Sequence, residues 1–193
     1  NSPARRSATS SWLWSVMAKK SRPIRRPAPA FRARALMPEG DVRELSLDQF
    51  RGRWVVLAFY PRDFTQVCPT EVRELSKRAP ELAALGAAVV AVSVDDLDTH
   101  RRWIGEQLGP LAVPLAADPT KENARAWGVL LEDEGVAARA TFVVDPAGVV
   151  RHAAFYDLAV GRSVSETVRV IEALRTGAPS PAEWRPGEPT LGR

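Results

Sequence analysis

Apolar positions along this chain follow two rhythms, one of strands and one of helices. Trp54-Val55-Val56-Leu57-Ala58-Phe59-Tyr60 is apolar without a break, the pattern of a strand buried on both faces. Ala87 to Val94 repeats it. Ala140 to Val144 and Val149 to Tyr156 read as two more strands, joined by Asp145-Pro146-Ala147-Gly148, a strong turn signal. Helical spacing fills the intervals. In Pro69 to Leu85, the residues Val72, Leu75, Ala79 and Leu82 share one face; Gly86 is the predicted stop, and Pro80 is predicted to kink or split the helix. Thr99 to Leu108 and Thr120 to Trp127 also read as helical. Ser163 to Arg175 is amphipathic, with Val164, Val168, Ile171 and Leu174 on one side and Gly177 at its end. Pro27 to Phe31 is an extended entry, and Asp48 to Gly52 a short turn.

The order is strand, helix, strand, helices, hairpin and a last helix. A helix between two strands lets them lie parallel, and the hairpin adds antiparallel strands to the same sheet. The predicted fold is α/β and thioredoxin-like, a central mixed β-sheet flanked by helices.

Composition adds one correction to first impressions. A chain of 193 residues suffices for one domain with a proper core. Its formal net charge of +4 comes from one end: residues 1–26 hold Arg5, Arg6, Lys19, Lys20, Arg22, Arg25 and Arg26 and no acid, and without those seven charges the remainder stands at −3. A nucleic-acid partner needs a basic stripe on the folded body, and the sequence offers none. We therefore divide the chain into a disordered basic leader (1–26), the folded domain (27–176) and a C-terminal arm (177–193). The leader reads either as an organelle transit peptide or, preferably, as sequence ahead of a start at Met17. The expected location is cytoplasmic, or an organelle under the first alternative. Trp12–Met17 is too short to span a membrane and no other stretch qualifies, so no membrane partner is expected.

Cys68 is the only cysteine. That excludes an internal disulfide framework, a CxxC redox pair and a cysteine-rich zinc site, and it fits a reducing compartment. His100 and His152 lack metal-ligand spacing and read as surface or structural residues. A lone cysteine is most often a small buried hydrophobe. Cys68, however, falls where a strand hands over to a helix, in Pro61-Arg62-Asp63-Phe64-Thr65-Gln66-Val67-Cys68-Pro69-Thr70-Glu71. Unpaired N–H groups at a helix start favour an anionic thiolate, the nucleophilic form of the residue. Thr65 brings a hydroxyl three positions earlier, and prolines at 61 and 69 restrict the backbone.

Pro61-x-x-x-Thr65-x-x-Cys68 resembles the signature of the peroxiredoxins, and Val67-Cys68-Pro69-Thr70-Glu71 is similar to their typical 2-Cys, alkyl hydroperoxide reductase C-like branch. Glu132-Asp133-Glu134-Gly135, Arg139-Ala140-Thr141-Phe142-Val143-Val144-Asp145 and Gly161-Arg162-Ser163 extend the likeness from about Pro27 to Leu191. The resemblance implies a thiol peroxidase with no metal, haem or flavin. Cys68 would be the peroxidatic cysteine. Thr65 would orient the peroxide, Pro61 would shield the thiol pocket, and Arg139 would lie against thiolate and peroxide. Glu71 and Arg162 would hold that guanidinium in place. Substrates would be hydrogen peroxide and alkyl hydroperoxides, and the assembly a homodimer or a ring of dimers, with Trp184 and the arm packing on a neighbour.

One departure changes the expected cycle. Typical 2-Cys members carry a resolving cysteine in a Cys-Pro-Ala-x-Trp context; here that stretch is Ser180-Pro181-Ala182-Glu183-Trp184. Ser180, natural or introduced, forms no disulfide. The sulfenic acid then falls to an external thiol: thioredoxin, glutaredoxin, glutathione or another low-molecular-weight thiol. A Cys68–Cys68 bond between chains is the other outlet. The Gly-Gly-Leu-Gly and C-terminal Tyr-Phe elements of overoxidation-sensitive members are absent or reduced. The competing function is a peroxide sensor or chaperone-like redox assembly with slow turnover.

Overall fold

The computed structural model describes residues 23–192. The expected leader therefore lies outside the described residues up to position 22. Arg25 and Arg26, assigned to it, hydrogen-bond the body: Arg25 N–H donates to the Val150 carbonyl and Val150 N–H to that of Arg26.

Among the described residues there are nine strands and four α-helices. The four strands read from the sequence form β3 (Trp54–Phe59), β4 (Ala87–Ser93), β8 (Arg139–Val144) and β9 (Val150–Tyr156). Sequence left unassigned adds β1 (Arg32–Leu36), β2 (Val42–Ser46) and β5 (Leu115–Ala117), and β6 (Leu130–Leu131) pairs with β7 (Val136–Ala137) in a small hairpin. The main sheet has seven strands in the order β2-β1-β5-β4-β3-β8-β9. β3 is an interior strand, parallel to β4 and antiparallel to β8, which pairs antiparallel with β9 through the predicted turn. In that turn the Asp145 carboxylate accepts from Ala147 N–H and Val149 N–H. The expected mixed α/β architecture is thus the observed one.

α1 (Cys68–Ala84) joins β3 to β4, and α4 (Val164–Arg175) closes the domain. Successive β3 residues point to opposite faces. Val56 and Ala58 pack with Leu75 and Leu82 of α1 and Val168 and Ile171 of α4, whereas Val55, Leu57 and Phe59 face Trp127 and Phe142. Two helices are offset from expectation. α2 (Leu97–Trp103) starts early because the Asp96 side chain accepts from Thr99 N–H, and it passes into a π-helical turn, Ile104–Leu108. α3 (Glu122–Ala126) is short because Lys121 ahead of it is left-handed.

Of the two expectations for Pro80, a kink or a split, the split is overturned, for α1 runs unbroken through it. That residue is exposed, so the Ser76 carbonyl that loses its helical partner can be met by water. Gly86, at φ +75°, ends the helix as predicted. In the arm, Trp184 is only 3% exposed within its own chain. Its indole N–H donates to the Glu188 carbonyl, and its own carbonyl accepts from Arg169 of α4. An indole already covered by its own arm and helix needs no neighbour to bury it.

Candidate active site

Cys68 is the first residue of α1, one position earlier than predicted, with Pro69 in the first turn. Continuous helical geometry from Val67 onward sets the thiol at the base of the helix rather than in the loop before it. The side chain is 0% exposed, within a cluster that includes Tyr60, Val72 and Trp103. One side of this apolar setting is charged. Arg139, the first residue of β8, places Nη1 3.2 Å from Cys68 Sγ and 2.5 Å from Glu71 Oε2. Its Nε and Nη2 both donate to the Leu158 carbonyl, at 3.0 and 2.7 Å, so the guanidinium plane is fixed from both ends.

Glu71 lies three residues after Cys68, one helical turn on, and shares the buried end of α1. Its carboxylate bridges two guanidiniums. Oε1 accepts from Arg162 N–H at 2.9 Å and from Arg162 Nε at 3.0 Å. Arg162, just ahead of α4, also donates to the carbonyls of Phe59 and Ala140 and to Thr141 Oγ1. This buried cluster is therefore hydrogen-bonded throughout, as burial of charge demands. Its balance also matters. Arg139 and Arg162 bring two positive charges and Glu71 one negative, so a thiolate at Cys68 neutralises the set and a neutral thiol leaves one positive charge uncompensated. Burial opposes the charge on Arg139, but Cys68 and Glu71 outweigh it and hold its pKa above the ordinary value.

The sequence-predicted residues divide into two groups. Cys68, Glu71, Arg139 and Arg162 are brought together. Thr65 and Pro61 lie on the loop leading to Cys68 without a hydrogen bond to it: Thr65 Oγ1 donates to the Arg62 carbonyl at 3.2 Å, and Pro61 is buried directly after Tyr60. Ser180 sits half-buried in the arm.

A buried polar network beside the site escaped sequence reasoning. Tyr60 OH donates to Asp63 Oδ1 at 2.8 Å, and Asp63 Oδ2 lies 2.7 Å from His100 Nδ1. Asp63 N–H donates in turn to Asp95 Oδ2. Burial raises the Asp63 pKa against the opposing pull of His100, and burial together with Asp63 pushes the Tyr60 phenol well above its usual value. Asp63 inside the Cys68 loop was the available signal, but its partner on α2 is 37 residues away.

A sequence model of the AhpC/TSA family matches residues 24–153. The chain is 41% identical over 174 residues to a putative peroxiredoxin in the rubredoxin operon of Clostridium pasteurianum, covering 87% of this chain and 98% of that one. It is 45% identical over 177 residues to peroxiredoxin-2 of Bos taurus, covering 87% and 88%. Among solved structures, the reduced 2-Cys peroxiredoxin of Plasmodium vivax superposes with a TM-score of 0.85 at 34% identity, over 88% of this chain and 92% of that one. A cysteine at a helix start facing a buried arginine, on this fold and with these relatives, makes the chain a member of the AhpC/TSA family of peroxiredoxins, the thiol-peroxidase oxidoreductases.

Proposed function

We propose that this peroxiredoxin reduces hydrogen peroxide and small organic hydroperoxides in a one-cysteine cycle. The Cys68 thiolate attacks one peroxide oxygen. An S–O bond forms, the O–O bond breaks, and the departing oxygen takes a proton and leaves as water or an alcohol. Cys68, oxidised by two electrons, is left as a sulfenic acid. Arg139 offers fixed donors to the sulfur and to charge growing on the departing oxygen. Glu71 and Arg162 hold Arg139 in place. Thr65 turns its hydroxyl from the Arg62 carbonyl to the bound peroxide, and Pro61 keeps water from the thiol.

The observation that carries this reading is the 3.2 Å contact between Arg139 Nη1 and the Sγ of the chain's only cysteine. With serine at position 180, regeneration falls to an external thiol: thioredoxin, glutaredoxin or a low-molecular-weight thiol. A homodimer, or a ring of dimers, forms through surfaces such as the edge strand β9, whose Phe155 is 54% exposed. The proposed location is cytoplasmic, or an organelle if residues 1–26 act as a transit peptide.

Intact-protein mass spectrometry tests the cycle. One equivalent of peroxide should add one oxygen to the wild-type chain and none to Cys68→Ser, and one class of thiol should remove it with sustained turnover. No adduct and no peroxide loss would refute the peroxidase chemistry. An adduct that no thiol removes would instead favour the sensor.

A further inference from the structure

Cys68 is wholly buried, yet a one-cysteine cycle requires a second molecule to bring its own sulfur against the Cys68 sulfenic acid. Part of the cover must move, and the loop 61–67 ahead of α1 is that part. Three observations converge on Phe64 within it. Its φ is +55°, a left-handed conformation that a bulky side chain keeps only when its surroundings impose it. Its half-buried ring packs against the cluster that holds Cys68, 6.5 Å from the ring of Trp103. The guanidinium of Arg102, an exposed residue of α2, lies over the same ring at 5.4 Å from its centroid.

Trp103 is the fixed side of this arrangement. It is fully buried, stacks near Tyr60 at 5.8 Å, and donates its indole N–H to Gln107 Oε1 at 3.0 Å. Arg102 is the adjustable side, since its long chain is exposed. Displacing Phe64 also displaces Thr65, the next residue, so the loop conformation governs both the peroxide pocket and entry to the sulfur.

We propose that Arg102 is a positioning residue: its cation–π contact with Phe64 latches the 61–67 loop shut and sets how readily an external thiol reaches Cys68. This rests on the external-thiol cycle above. In the step concerned, the thiol sulfur attacks the sulfenic sulfur; an S–S bond forms, the S–O bond breaks, and hydroxide leaves with the thiol's proton as water. A second thiol then releases Cys68 and forms its own disulfide.

The test compares alkylation of reduced Cys68 by two uncharged reagents, small iodoacetamide and bulky N-(1-pyrenyl)maleimide. Arg102→Gln should raise the bulky-to-small rate ratio by roughly two- to fivefold, the range an exposed cation–π contact controls. Arg102→Lys, which keeps a cation, should restore most of the wild-type ratio. Loss of a nearby charge alters thiolate content equally for both reagents and cancels in the ratio. Reduction of the Cys68 sulfenic acid by glutathione should quicken by a similar factor in Arg102→Gln. An unchanged ratio in Arg102→Gln, or an equal change in the neighbouring Arg101→Gln, would overturn the latch. Alkylation needs no peroxide, so a failure here is distinct from a wild-type protein that does not consume peroxide.

Discussion

Glu71 Oε1 is held by both the backbone and the side chain of Arg162, at 2.9 and 3.0 Å across 91 residues of chain. Oε1 takes the two short bonds from Arg162, whereas Oε2 takes the bond from Arg139 and a longer one, 3.4 Å, from Arg162 Nη2. Arg162 thus fixes the carboxylate that fixes Arg139, while Arg139 alone meets the sulfur.

Arg162→Ala removes one of the two guanidiniums on Glu71 and the side-chain donors to the carbonyls of Phe59 and Ala140, leaving the carboxylate to Arg139 and a backbone N–H. The expected loss of stability is about 3–5 kcal/mol, the range for breaking a buried ion pair on one side. Urea unfolding monitored by circular dichroism reads it. A shift of the midpoint within error of wild type would show that the cluster carries no net structural load.

Arg139→Gln removes the cation but keeps a planar group with N–H donors. Cys68 oxidation by peroxide should slow by about 10²–10³-fold, as when a preorganised donor is lost. Stopped-flow tryptophan fluorescence measures that step, because Trp103 shares the cluster with Cys68. A loss under tenfold, with the fold retained, would remove Arg139 from the chemistry.

Ser180→Cys restores a thiol in the arm within an otherwise retained Pro181-Ala182-Glu183-Trp184 context. One equivalent of peroxide should then give a disulfide-linked dimer on a non-reducing gel, absent in wild type and in the double variant with Cys68→Ser. A monomer band alone would argue that the arm does not approach the Cys68 of a second copy.

Stability should depend on pH through His152 of β9. Burial pushes its pKa below 6.5, against the pull of Glu166 and with the help of Arg169. The unfolded chain binds this proton more readily, so the neutral form's contribution is lost as pH falls below about 6.5. Glu166, held below its usual range by Arg169, adds a loss below about 4.5. Asp63, raised by burial, slopes the other way above 3.8. The informative quantity is therefore wild type minus His152→Gln. That difference should fall as pH drops from 7 to 5, and a flat difference would refute the assignment.

Strands β3, β4 and β8 were legible because strands buried by layers on both sides need apolar runs, and β9, a half-exposed edge strand, because a strong turn signal joins it to β8. β1 and β2 were not. Arg32, Ala33, Arg34 and Ala35 alternate exposed and buried, yet alanine carries too little hydrophobic signal for the period to show. β5 spans three residues after a proline, below any periodic window. The Cys68 position was readable from local turn and cap chemistry. Its union with Arg139, Glu71 and Arg162 followed from family likeness, because a side chain's partner across the sheet leaves no local trace. Asp63 and His100 show the limit: each is polar, and only the fold makes them a buried pair.

Chain order gives the Glu71–Arg162 bridge a final meaning. During synthesis Glu71 emerges 91 residues ahead of Arg162, and Cys68 precedes Arg139 by 71. A nascent chain that has released β3 and α1 but not yet β8 carries Cys68 with no guanidinium beside it. The charged setting of the sulfur is thus assembled late, from β8 onward, and is complete only once Arg162 has joined it.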